Sequence, residues 1–95
     1  MGNLNNEEYR ELLRAIVKLS SEEQAEKFLE DVCTIKELEA MSQRLQVARL
    51  LKEGRNYLEV SRLTGASTAT ISRVNKCLMY GSGGYSIVLE GKEDK

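Results

Sequence analysis

Asn56-Tyr-Leu-Glu-Val-Ser-Arg-Leu-Thr-Gly-Ala-Ser-Thr-Ala-Thr-Ile-Ser-Arg-Val74 is the stretch whose reading decides the fold. Asn56 has the side chain of a helix N-cap, and Glu59 three residues on completes the spacing of a capping box. Leu58 and Val60 open an apolar pattern that breaks at Gly65, where a left-handed backbone disfavours any residue with a Cβ. Ser67 can cap a second helix, in which Ile71, Val74 and Leu78 recur at helical spacing. Two short helices about a glycine turn make a helix-turn-helix over about residues 56–78, a unit able to lay its second helix in a DNA major groove. The same pattern also serves as a plain packing hairpin, so the flanking chain has to decide between the two.

Composition favours a helical domain. A chain of 95 residues holds one small core, and aromatics are only 5 % of it, with no Trp and Phe28 as the single Phe. Proline is absent and helix formers dominate up to Tyr80, which predicts an all-α domain. A core built mostly from Leu, Ile, Val, Met and Ala gains from sharing its surface with a second copy. No apolar run is long enough to span a bilayer and no signal-peptide pattern is present, so no membrane partner and a cytoplasmic location are expected. Cys33 and Cys77 lack metal-ligand spacing and fit small core residues of a reducing compartment. Histidine is absent, and the carboxylate pairs Glu7-Glu8, Glu22-Glu23 and Glu30-Asp31 read as solvated helix faces. No nucleophile–base constellation emerges, so the chain does not read as an enzyme, and it has no candidate metal site.

Net charge misleads unless the chain is split. Overall it is −1. Met1 to Gln43 carries ten acidic and five basic residues, net −5, whereas Arg44 to Met79 carries seven basic residues against Glu53 and Glu59, net +5. Tyr80 to Lys95 supplies the remaining −1. The positive block contains the helix-turn-helix, which is the electrostatic footprint of a nucleic-acid partner. The alternative is that these cations pair with the acidic half inside the fold.

Read in order, Met1 to Asn3 is too short and polar to pack, and Asn5 or Asn6 caps a first helix with Glu7 and Glu8 in its first turn. Tyr9, Leu12, Leu13, Ile16, Val17 and Leu19 make its stripe. Ser20 with Glu23, or Ser21 with Gln24, starts a second helix whose Ala25, Phe28, Leu29 and Val32 share one face. Thr34 with Glu37 starts a third, about Ile35 to Glu53, closing at Gly54. Its Leu38, Met41, Leu45 and Ala48 form a packing seam, and Val47, Leu50 and Leu51 widen the apolar surface beyond what one side can use. The domain therefore runs over residues 1–80, with 81–95 as a glycine-rich linker and short tail. In the tail Tyr85 to Leu89 is a β-branched run too short to settle as helix or strand, and its alternating Tyr85, Ile87 and Leu89 suit an edge strand or an arm, while Gly91 to Lys95 is expected to be disordered.

The run Thr34-x-x-Glu37-x-Glu39-Ala40-x-x-x-Arg44, then Leu51-x-x-Gly54, then Gly65-Ala66-x-x-Ala69-Thr70-Ile71-Ser72-Arg73 resembles the tryptophan repressor family, most closely its shorter YerC/YecD-type branch. The likeness spans roughly Thr34 to Leu78. It implies an all-helical, intertwined homodimer that presents two helix-turn-helix units to successive major grooves. It also implies an amino-acid corepressor between the central helix and the reading helix, where Thr34, Arg44, Thr70 and Arg73 match positions lining that pocket. Two positions depart from the tryptophan-binding members. Val74 replaces the Gly that lies beside the indole, and Cys77 replaces a Ser that helps hold the ligand. The segment between Gly54 and Gly65 is also one residue shorter, and the tail beyond Leu78 is unlike the family's last helix. These departures weigh against tryptophan, while leaving another small corepressor open.

With Ile71, Val74 and Leu78 turned inward, the opposite side of the second helix shows Ala69, Ser72, Arg73 and Lys76. Ala69 and the Thr68 methyl suit thymine methyls, and Arg73 suits a guanine or a phosphate. Lys76, Arg62 and Arg55 suit phosphates, and Ser67 lies at the same helix start. Thr70, Cys77 and Arg73 share one flank, polar enough for a small anion. These residues read as a sequence-specific DNA-binding transcriptional regulator, a repressor that acts as a homodimer on palindromic double-stranded operator DNA. The alternative reading is a protein-interaction module that docks the same helices on an acidic partner.

Overall fold

The computed structural model describes residues 6–90, and among them lie six α-helices and no strand. They are α1 (Glu7–Val17), α2 (Glu22–Val32), α3 (Ile35–Lys52), α4 (Tyr57–Thr64), α5 (Thr68–Tyr80) and α6 (Gly84–Glu90). The chain divides into two compact units, Met1–Leu38 and Glu39–Lys95. No helix among the described residues is long and apolar enough to cross a membrane.

Short polar side chains set the helix starts. Asn6 Oδ1 accepts from the Tyr9 N–H at 2.8 Å, so the second of the two asparagines begins α1. Ser21 rather than Ser20 caps α2, accepting from the Gln24 N–H at 3.1 Å while Gln24 Oε1 accepts from the Ser20 N–H at 2.9 Å. At α3 the box closes both ways: Thr34 Oγ1 accepts from Glu37 N–H at 3.0 Å and Glu37 Oε1 from Thr34 N–H at 2.8 Å. Asn56 and Ser67 cap α4 and α5, each accepting from the backbone N–H three residues on. Each cap is worth about 1 kcal/mol against alanine.

In the first unit no side chain of α1 or α2 is buried. Leu13, Ala25, Phe28 and Leu29 are half-buried, but Val17 is 80 % exposed and Leu19 lies past the end of α1. The stripe read from the sequence is wider than the one used.

The second unit holds the buried core. It consists of Val47 and Ala48 from α3, Val60 from α4, Ala66 from the turn, and Ile71 and Val74 from α5. Leu50, Leu51, Leu78, Tyr85 and Leu89 pack against it. Leu58, expected to open the apolar face of α4, is 76 % exposed, so that face begins at Val60. Met41 and Leu45 of the α3 seam are exposed in the single chain, whereas Ala48 is buried.

The residues after Tyr80 were open between helix, strand and arm, and they form a helix. Gly81 caps α5, its N–H donating to Cys77 O at 2.8 Å, and Gly83 takes a left-handed φ of 88° before α6 begins. Tyr85 and Leu89, four apart, both pack on the core, while the intervening Ile87 is exposed. A period near 3.6 thus displaces the period of two expected of an edge strand. The readings made for Met1 to Asn3 and for Gly91 to Lys95 lie outside the described residues.

Gly65 turns the chain between α4 and α5 with φ 78°, and its N–H donates to Ser61 O at 2.8 Å. Thr64 Oγ1 donates to Val60 O at 2.7 Å and accepts from the Ala66 N–H at 3.1 Å, while Ser61 Oγ donates to Ala66 O at 2.9 Å. The turn is thereby tied by side chains as well as backbone. Gly65→Val forces a β-branched residue into this left-handed conformation and is expected to cost about 2 kcal/mol. Chemical denaturation checks this, and a wild-type midpoint would contradict the assignment of strain to the turn.

Candidate nucleic-acid interface

The helix-turn-helix is held by one apolar seam and one glycine. Ile71 and Val74 of α5 are fully buried against Val60 and Val47, which fixes the rotation of α5 about its axis. Thr68, Ala69, Ser72, Arg73 and Lys76 are therefore turned out and exposed. Ala69 and Ser72 are short enough for close approach to a flat polar surface such as base edges. Ser67 spends its hydroxyl within the helix start, accepting from the Thr70 N–H at 3.1 Å and donating to Thr70 Oγ1 at 3.2 Å. The first turn of α5 has no acidic residue, so nothing local offsets the positive end of its dipole.

The cations of the second unit divide into two sets. Lys52 Nζ lies 2.8 Å from Glu90 Oε2, and Arg55 Nε lies 3.8 Å from Glu53 Oε1. Arg44, Arg49, Arg62, Arg73 and Lys76 have no carboxylate partner among the described residues, Arg49 donating instead to Gln46 Oε1. Arg55 sits in the turn between α3 and α4, where its N–H donates to Leu50 O at 3.1 Å, and Arg62 is exposed on α4.

Behind the exposed side of α5 lies a cleft of about 490 Å³ lined by Ala40, Gln43 and Arg44 of α3, by Thr70, Arg73, Val74 and Cys77 of α5, and by Tyr85 of α6. Four of the five residues expected in an effector pocket, Arg44, Thr70, Arg73 and Cys77, are brought together here. Thr34 belongs to the first unit, where its hydroxyl caps α3, and it is not among the lining side chains. Val74 contributes to both the core and the cleft, filling space at the cleft wall. Arg73 stands on the outer side and in the cleft at once.

Sequence reasoning missed Gln43 and Tyr85. Gln43 neighbours Arg44 but looked like one more polar helix residue. Tyr85 lay in a tail whose register could not be read, and its signal was its four-residue spacing from Leu89. Among the described residues no cluster of His, Cys, Asp or Glu has the arrangement of a metal site.

The sequence profile of the Trp repressor protein family matches residues 7–93. The match extends beyond Thr34 to Leu78 at both ends and takes in the tail that seemed foreign to the family by sequence. The uncharacterised protein YerC of Bacillus subtilis (strain 168) is 45 % identical over 90 residues, spanning 95 % of this chain and 86 % of that protein. A TrpR-like protein from Eubacterium eligens ATCC 27750 has a crystal structure that superposes with TM-score 0.91 at 46 % identity, covering 98 % of this chain and 96 % of that one. A Trp repressor candidate from Staphylococcus aureus superposes with TM-score 0.91 at 38 % identity, covering 99 % and 94 %.

The placement of Tyr85 in the cleft wall depends on the tight joint at Gly81. A Cβ there would lie 2.5 Å from the backbone oxygen of Cys77, too close for any rotamer to relieve. Gly81→Ala is expected to shift the start of α6 and loosen Tyr85 from the core. Hydrogen exchange over residues 84–90 should accelerate at least several-fold while α4 and α5 keep their protection; unchanged exchange would show that the joint accommodates a side chain.

Proposed function

Because the chain belongs to the Trp repressor family, we propose that it is a sequence-specific DNA-binding transcriptional regulator, a repressor that acts as a homodimer on palindromic operator DNA. The observation that carries this reading is the exposed side of α5, where Ala69 and Ser72 lie between Thr68 and the exposed cations Arg73 and Lys76. Small side chains at the centre reach base edges, and cations around them meet phosphates. Ser67, engaged in its own helix start, supports the end of α5 rather than reading bases. Arg55 and Arg62 orient the unit on the backbone.

Dimerisation is supported by the apolar surface the single chain leaves uncovered. Leu12, Ile16, Val17, Val32 and Ile35 are all exposed, as are Met41 and Leu45, and a unit with no buried residue cannot stabilise itself alone. A second copy shares this surface. The cleft is the candidate effector site, with Arg44, Thr70, Arg73 and Cys77 as its polar groups. Tryptophan suits it poorly, since the Val74 side chain takes up space that a flat ring needs. Exposed Leu58 and Leu63 on α4 favour the second reading, docking on an acidic protein.

Selection from random-sequence duplexes tests the main reading. It is expected to return an imperfect palindrome whose half-sites lie about one helical turn apart. Affinity should fall steeply with salt, and Arg55→Ala should weaken binding to all sequences alike while flattening the log–log slope by about one unit. Bulky replacements of Ala69 or Ser72 should instead change the preferred bases. A selection without a symmetric site, or light scattering at micromolar concentration showing only monomer, contradicts the dimeric half of the reading. Affinity that rises many-fold with added tryptophan contradicts the effector half.

A further inference from the structure

Gln43 lies near the middle of α3 and lines two cavities at once. One is the cleft shared with Arg44, Thr70 and Tyr85; the other is a shallower groove of about 520 Å³ between α3 and α4, with Gln46, Leu50 and Leu63 on its walls. Its amide Nε2 donates to the backbone oxygen of Thr64 at 3.2 Å, a half-buried bond between residues 21 apart in sequence. Thr64 is the last residue of α4, and the carbonyls of a helix's last turn have no partner within it. Gln43 therefore supplies from α3 what α4 lacks at its end.

The location of this bond matters more than its strength. Thr64 immediately precedes Gly65, at which the chain swings into α5. The apolar contacts of Val47 with Val60, Ile71 and Val74 hold α3 against the helix-turn-helix, but such contacts are non-directional and tolerate small slips. A hydrogen bond to one carbonyl is directional and fixes distance and angle. It anchors to α3 the residue just before the turn into α5, the helix whose first turns carry Ala69 and Ser72.

We infer that Gln43 is a positioning residue for DNA recognition, setting the pose of α5 by bonding the Thr64 carbonyl at the pivot of the helix-turn-helix. The inference rests on the DNA-binding reading above. It assigns sequence discrimination partly to a side chain that touches no base.

The test compares the full chain as wild type, Gln43→Met and Gln43→Lys on the selected duplex and on a scrambled duplex of equal length. Methionine keeps the reach and helix preference of glutamine but donates nothing, whereas lysine restores a donor of similar reach. Gln43→Met is expected to lower affinity for the selected duplex about tenfold, one directional bond being lost in each half-site, with scrambled-duplex affinity and salt slope unchanged. Gln43→Lys is expected to recover most of the lost discrimination. A merely structural contact would lower the melting temperature and both affinities together, and that result overturns the inference. So does an unchanged ratio of the two affinities in Gln43→Met. Should that variant fail to fold, Gln43→Glu against Gln43→Lys makes the same comparison, since a carboxylate has no donor. Wild type that discriminates while every variant discriminates equally overturns this inference alone; wild type that binds neither duplex overturns the DNA-binding reading and this inference with it.

Discussion

Val47 and Ala48, adjacent on α3, are both fully enclosed in the core that α3 shares with α4 and α5. Removing a side chain the size of valine from water contributes about 1.5–3 kcal/mol, and among the described residues only Ile71, Val47, Val60 and Val74 are both large and completely buried. With so few contributors, the orientation of α5 is set by a handful of contacts around Val47. Ala48 and Ala66 matter for the opposite property, because their small size lets the helix backbones approach. Replacing either with a larger residue would separate the helices that the valines hold together.

The first unit lives under a different constraint. Its helices are started by well-formed caps at Asn6, Ser21 and Thr34, so their local structure is strongly specified. Yet α1 and α2 bury nothing completely. Caps contribute about 1 kcal/mol each and cannot replace a core. Such a unit, well specified locally and weakly closed, gains most from the second copy proposed above. The exposed Leu12 and Ile16 on α1 and Met41 and Leu45 on α3 agree with the proposal of a shared core.

Features governed by local chemistry were legible in the sequence. Asn56, Ser67, Thr34 with Glu37, and the left-handed glycines at 54 and 65 each announce themselves through backbone groups within a few residues. The inward set Ile71, Val74 and Leu78 was legible too, and with it the outward set, because one fixes the other on a 3.6-residue period. What depended on distant parts of the chain was not. Leu58 fits the apolar pattern of α4 as well as Val60 does, but Val60 joins Val47 and Ile71 in the buried core while Leu58 is exposed. The tail's helix was hidden because Tyr85, Ile87 and Leu89 alternate, and the choice between periods was made by packing of Tyr85 and Leu89 on the buried core rather than by the seven residues themselves. Gln43 was invisible for the same reason, since its partner is a backbone carbonyl that no sequence pattern marks.

The cleft and the reading side of α5 are not independent surfaces, because Arg73 belongs to both. A guanidinium offers five donors in a rigid plane, so it can bridge two anions only when they approach along different edges of that plane. An anion in the cleft that orients this plane outward prepares it for a phosphate, whereas one that draws it inward withdraws it. Binding free energies make such an influence reciprocal: whatever the cleft does to DNA affinity, DNA does to affinity for the cleft's occupant. Cys77 and Thr70 stand beside Arg73 on the same helix, and Arg44 faces them from α3. Under the proposed reading, the side chains surrounding Arg73 within the cleft set which edge of its plane is left for DNA, so a substitution there would be felt on the outer side of α5.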